Sequence, residues 1–207
     1  MRASTLLFSL AVLAGASACA DPTTGTASPA PSEAERPSNS AGAPLPTRPE
    51  SLPLDGVDPC SLLTDQQLAA FSIDRPPANG QSSSGPLKGA PDCNFEASSG
   101  SANDWGFLII ASTSVGLPAY LEQIQGNPTR RVITVSGFPA IQDEQKSSVG
   151  PGNDTCFVDV DVADGQMLAL QFGQVAADPD KVLPMETLCA KAVEVAEAAL
   201  TTLQGQR

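Results

Sequence analysis

No histidine occurs among the 207 residues. The commonest general base is therefore missing, and Ser-His-Asp and Cys-His catalytic sets are excluded for an isolated chain. A serine-lysine substitute would place Ser three residues before a Lys, but Lys88, Lys146, Lys181 and Lys191 have Gly85, Asp143, Asp178 and Leu188 there. Gly-x-Gly-x-x-Gly and Walker-type phosphate loops are missing too. Basic residues are scarce, 11 Lys and Arg against 23 Asp and Glu, for a net charge of −12. Nucleic-acid phosphates need clustered cations, so no nucleic-acid partner is expected. Without His or closely spaced Cys pairs, a zinc site is not expected either. No cofactor is implied.

Long apolar runs are also lacking. The most continuous, Leu6 to Gly15, is too short to span a bilayer. It has the length of a signal-peptide core, preceded by Arg2 and followed by the small residues Ala16, Ser17 and Ala18. Those small residues run directly into Cys19, a pattern that resembles the bacterial lipobox, although Ala16 stands where Leu or Val is usual. The expectation is a signal peptide over 1–18, a diacylglyceryl thioether on Cys19, and a protein held on the outer face of the plasma membrane. Two acyl chains give the stable anchoring that one does not.

Four cysteines remain, Cys60, Cys93, Cys156 and Cys189. An even set outside the cytosol suits two disulfides. Of the three possible pairings, Cys60 with Cys93 and Cys156 with Cys189 have equal separations, which is compatible with neighbour pairing. On the chain-entropy model each loop would be worth roughly 3 to 4 kcal/mol.

From Ala20 to Gly56 the chain is rich in Pro, Ser, Thr, Ala and Gly. It is expected to form a disordered tether, with one folded domain over 57–207. Within that domain Thr64 and Gln67 form a capping-box pattern ahead of a short helix with Leu68, Ala69 and Phe71 inward. A loop from Pro76 to Pro91 leads to two strands, "DCNFEAS" and "DWGFLIIAST". "LPAYLEQIQ" reads as a helix ended by Gly126-Asn127-Pro128, and "RRVITVSG" and "PAIQDEQ" as strands. In "TCFVDVDVADGQMLALQFGQ", Cys156, Val158, Val160 and Val162 alternate with Phe157, Asp159 and Asp161. This predicts a hairpin turning at Asp164-Gly165 through a primed turn, its aspartate face in water. Lys181 to Leu203 is an amphipathic helix with Met185, Leu188, Cys189, Ala192, Val193, Ala196, Leu200 and Leu203 along one stripe. An inward cysteine on a strand and another on this stripe meet if the helix crosses the sheet. The expected fold is α+β, an antiparallel sheet of about six strands covered on one face by helices.

Candidate chemistry is sparse. Two carboxylates can hydrolyse a glycoside without histidine when they lie about 5 Å or about 6.5–9.5 Å apart. Asp143 with Glu144, Asp159 with Asp161, or Glu96 with Asp104 would supply such a pair, but each fits the polar face or end of a strand more simply. Asp159, Asp161 and Asp164 have the oxygen chemistry of a calcium site, yet Ala163 breaks the ligand spacing and no Glu closes a loop. Trp105 and Tyr120 are candidates for stacking on a ligand, with burial in the core the better account of both.

Asp58-Pro59-Cys60 followed by "SLLT", the Cys93-Asn94-Phe95 segment, a strand cysteine and a final-helix cysteine together resemble actinobacterial lipoproteins that carry the domain of unknown function numbered 3558. Members often have Trp where this chain has Phe95. The likeness covers Val57 to the C-terminus and the signal, lipid cysteine and Pro-rich tether before it. It implies an envelope location and this architecture, and transfers no catalytic residue. The leading expectation is a non-enzymatic, membrane-anchored module that binds an envelope protein or small ligand. A carboxylate-dependent cell-wall hydrolase and a lipid carrier are the alternatives.

Overall fold

The computed structural model describes residues 45–98, 105–124, 127–150, 152–174 and 179–207. Cys19 and the signal segment lie outside them. Seven strands form one sheet: β1 (Ala78–Gln81), β2 (Pro91–Glu96), β3 (Trp105–Ser112), β4 (Arg131–Val135), β5 (Phe138–Gln145), β6 (Thr155–Ala163) and β7 (Gln166–Gln174). Its order is β1-β2-β3-β7-β6-β5-β4, with every neighbouring pair antiparallel. Two meanders, β1 to β3 and β4 to β7, thus join where β7 pairs with β3 from Trp105↔Gln174 to Ser112↔Met167. The fold is the expected α+β class with seven strands rather than about six. The added strand is β1, an exposed edge of sequence Ala-Asn-Gly-Gln whose lack of alternating apolar residues hides it in the loop before β2.

Helix α3 (Met185–Gly205) packs over β6 and β7. Its stripe buries Leu188, Cys189, Ala192, Val195, Ala196, Ala199, Leu200 and Leu203, each large aliphatic contributing roughly 1.5 to 3 kcal/mol by leaving water. Val193 and Met185, expected on the stripe, sit at its margin. The helix starts at Met185, not Lys181, because Pro184 disfavours helical backbone at Leu183, whose N–H donates instead to Gln174 Oε1 at 2.8 Å. Phe95, Phe107 and Phe172 stack along the same face of the sheet, within the main core. Both disulfides are present, Cys60–Cys93 with Cα atoms 5.1 Å apart and Cys156–Cys189 at 5.2 Å. Helix α1 (Asp65–Ala70) has both halves of the Thr64/Gln67 capping box; Leu68 and Phe71 lean on the core while Ala69 is exposed.

The opposite sheet face has a smaller cluster, Leu87, Ala90, Ile110, Leu117, Ile141, Met167 and Ala169, under helix α2 (Leu117–Gln123). Primed-turn geometry occurs at Ser136-Gly137, where both residues have positive φ. At Asp164-Gly165, where it was expected, only Gly165 is left-handed, and the register shifts between Asp161 and Ala163.

The domain begins before Val57. Leu52 N–H donates to Val162 O at 2.8 Å, Leu54 N–H to Gln166 Oε1 at 2.5 Å, and Leu52 and Leu54 are buried in the main core. Leu45 packs against the smaller cluster. Residues 45–56 therefore form a strap that passes from one sheet face to the other around the β6–β7 hairpin. Arg48 holds Asp161 at 2.7 Å and also pairs with Asp164. Pro-rich composition suggests a tether here, but three leucines and one arginine supply enough contacts to order it.

Candidate functional site

Strand alternation puts Asp143 of β5 and Asp159 of β6 on the α2 side of the sheet. The register pairs Ile141 with Asp159 and Asp143 with Phe157, so the two acids are diagonal neighbours, with Cα atoms about 7–8 Å apart. The segment entering β4 closes over them. Thr129 donates its N–H and hydroxyl to Asn127 Oδ1 at 3.1 and 2.8 Å, and Glu144 N–H donates to Thr129 Oγ1 at 3.1 Å. This turn aims Arg130 inward: Nε donates to Asp143 Oδ2 at 3.1 Å and a terminal nitrogen to Ile124 O at 2.7 Å. The result is a pocket of about 250 Å³ lined by Tyr120, Ile124, Asn127, Arg130, Asp143, Glu144, Gln145, Phe157 and Asp159.

Its acids are deeply buried, Asp159 at 3% exposure and Asp143 at 6%. Loss of hydration, reinforced by Asp143 and opposed by Arg130, pushes the Asp159 carboxyl up to about 8, so it is largely protonated at neutral pH. Burial also raises Asp143, against the pull of Arg130 and Asn127. Asp143 Oδ1 is the buried side-chain polar atom left without a hydrogen-bond partner among the described residues. Such an atom costs about 1–3 kcal/mol. The Tyr120 hydroxyl is raised well above its ordinary range by burial and then by Asp159 and Asp143.

Of the pairings considered from sequence, Asp143 with Glu144 and Asp159 with Asp161 come apart. Glu144 pairs with Arg131 at 2.6 Å, Asp161 with Arg48, and Glu96 with Arg75 at 2.6 Å. Asp104 lies outside the described residues. The aspartate face of β6, expected in water, is covered by α2 and the strap, which bury Asp159 and Asp161. Asp143 and Asp159 are the acids that meet, and no sequence signal pairs them because strand register is a tertiary property. Arg130, Asn127 and the lining role of Tyr120 were likewise missed. Tyr120 serves core and pocket together. Trp105 is core: its indole N–H donates to Phe71 O at 3.0 Å, and Lys191 Nζ sits 4.6 Å from its ring.

The arrangement offers an unpaired acceptor, a carboxyl able to donate or accept, an amide, a guanidinium and two aromatic side chains. Among the described residues no group of three or more acids, His or Cys is placed to hold a metal ion. No curated protein and no solved structure shows significant similarity to the chain. A family model matches residues 14–202, and the chain belongs to that family, described as protein of unknown function (DUF3558).

Proposed function

We propose that this protein is a lipid-anchored lipoprotein of the cell envelope whose domain is a non-catalytic binding module, with the Asp143/Asp159 pocket as its ligand site. The observation that carries the binding site is the buried Asp143 Oδ1, without a hydrogen-bond partner among the described residues, on a side chain that lines the pocket. A folded domain tolerates such an atom at a cost that a bound donor removes. Anchoring is supported by the Cys19 lipobox pattern, by a family match that takes in Cys19, and by two disulfides suited to an oxidising compartment.

Binding is favoured over glycan hydrolysis because the acids flank nothing. Glycosidases place their carboxyls on either side of the scissile bond, whereas Asp143 and Asp159 stand side by side on one sheet wall. A lipid carrier would need apolar space between helix and sheet, and there Ala192, Val195, Ala196 and Ala199 are fully buried within the main core. The test is nuclear magnetic resonance of the labelled full chain with a deproteinised envelope extract. Resonances of Tyr120, Asn127, Arg130 and Asp159 should shift and those of α3 should not, and Asp143→Ala should abolish the effect. An extract that leaves the pocket resonances unmoved overturns the proposal. For the anchor, Cys19→Ser should move the protein from the membrane to the soluble fraction with its Tm unchanged; a Cys19→Ser chain that still carries lipid refutes it.

A further inference from the structure

Resting on the pocket as the binding site, the chemistry of its lining narrows the ligand. We propose that the pocket takes a primary ammonium group, seated against Asp143 Oδ1 and the Asp159 carboxyl beside Tyr120 and Phe157. Asp143 Oδ1 is an acceptor, so whatever satisfies it is a donor. The charges facing Asp159 are few: Asp143 and Glu144 from β5, Arg130 from the turn before β4, and the Tyr120 phenol from α2. Glu144 is neutralised by Arg131, and Asp161, further along β6, by Arg48. That leaves two carboxyls and one guanidinium, an excess of one negative charge when both acids are ionised.

Before a ligand binds, a proton on Asp159 removes that excess. A ligand bearing one positive charge removes it equally well and brings three hydrogen-bond donors. On binding, the Asp159 O–H bond breaks, its proton passes to solvent, and the carboxylate pairs with the incoming ammonium. A divalent metal fits poorly, since three acid ligands are not assembled among the described residues and Arg130 already places a cation against Asp143. A neutral hydroxyl satisfies Asp143 Oδ1 but does nothing for the second carboxyl. Aromatic faces attract ammonium groups, and the net charge of −12 draws cations toward the domain. A pocket of about 250 Å³ admits one amine head on a short chain.

The experiment uses the full chain in detergent micelles with two matched pairs of probes: ethanolamine against ethylene glycol, and 1,5-diaminopentane against 1,5-pentanediol. Aspartate carboxyl ¹³C shifts report the site. Each amine should bind at least tenfold more tightly than its alcohol. Its affinity should rise about tenfold per pH unit up to about pH 8 and level off above it, where Asp159 is already ionised. In the complex at pH 7 Asp159 should give the shift of a carboxylate. Asp143→Asn should lose the preference, and Asp159→Asn should weaken amine binding at least tenfold and remove its pH dependence. Equal binding of alcohol and amine, or an Asp159 that stays protonated in the complex, overturns the inference. If no probe shifts the pocket while envelope extract still does, the ammonium inference falls and the binding site stands. If both fail, the proposed function falls with it.

Discussion

Asp159→Asn should turn a pH-dependent stability into a flatter one, with a magnitude that follows from burial. The carboxyl titrates at about 8 in the folded protein against 3.8 when exposed. Between those values the folded chain holds a proton that the unfolded chain releases. Stability is therefore fully present below the unfolded pKa and is lost as pH rises through the folded one. The loss approaches about 1.4 kcal/mol per pH unit. From pH 4.5 to 7.5 it accumulates to about 4 kcal/mol, a large part of the roughly 5–15 kcal/mol that holds a domain together. Asparagine has nearly the same shape and cannot ionise. The quantity to measure is the stability of Asp159→Asn minus that of the parent, from urea unfolding at pH 4.5, 6 and 7.5. Fluorescence of the single tryptophan, Trp105, reports the transition. Any fixed cost of burying the amide shifts this difference at every pH without changing its slope. Asp143, whose raised pKa acts in the same direction, is present in both proteins. The difference should climb by about 4 kcal/mol across the range. A difference flat with pH would refute the assignment of Asp159 as a buried, neutral acid.

Replacing Cys156 and Cys189 together by Ser opens a loop of sequence separation 33. On the chain-entropy relation this should cost about 4 kcal/mol, read from chemical unfolding under non-reducing conditions. Leu54→Ala should cost about 2–5 kcal/mol as a buried cavity mutation, whereas an unstructured tether would give no change in Tm. Gly116→Ala should lower Tm by the equivalent of about 1–3 kcal/mol, because an added Cβ would come within 2.9 Å of the Gly165 and Gln166 backbone.

Much of the fold was written in local patterns. The β6–β7 alternation, the Thr64/Gln67 capping box and the α3 stripe each use a period or spacing that one segment expresses by itself. The pairing of Cys156 with Cys189 follows from two of those patterns meeting. The strap was illegible because Pro, Ser and Thr composition reports low average hydrophobicity, while its order depends on Leu52, Leu54 and Arg48 finding partners more than a hundred residues away and on Leu45 reaching the smaller cluster. The pocket was illegible for a related reason. Asp at the alternate positions 159 and 161 of β6 marks a polar face, and whether that face meets water depends on what α2 and the strap cover. Asp143 and Asp159 are sixteen residues apart in the chain and become neighbours only through the β5–β6 register.

All four disulfide cysteines serve one layer. Cys93 and Cys156 point to the α3 side, Cys60 joins from the 3₁₀ turn Pro59–Leu62, and Cys189 from α3 itself. The layer that carries the pocket has no covalent tie: α2 is seven residues long and rests on a small cluster and a few hydrogen bonds. Opening energies within a native protein follow such differences in local cohesion. The domain thus has two clocks. Amides of β6, β7 and α3 should exchange with solvent only at the pace of global unfolding, while α2 and the 127–130 turn lift and reclose many times in between. The proposed ligand would then reach the buried acids through the layer that opens first, on a frame kept still by sulfur.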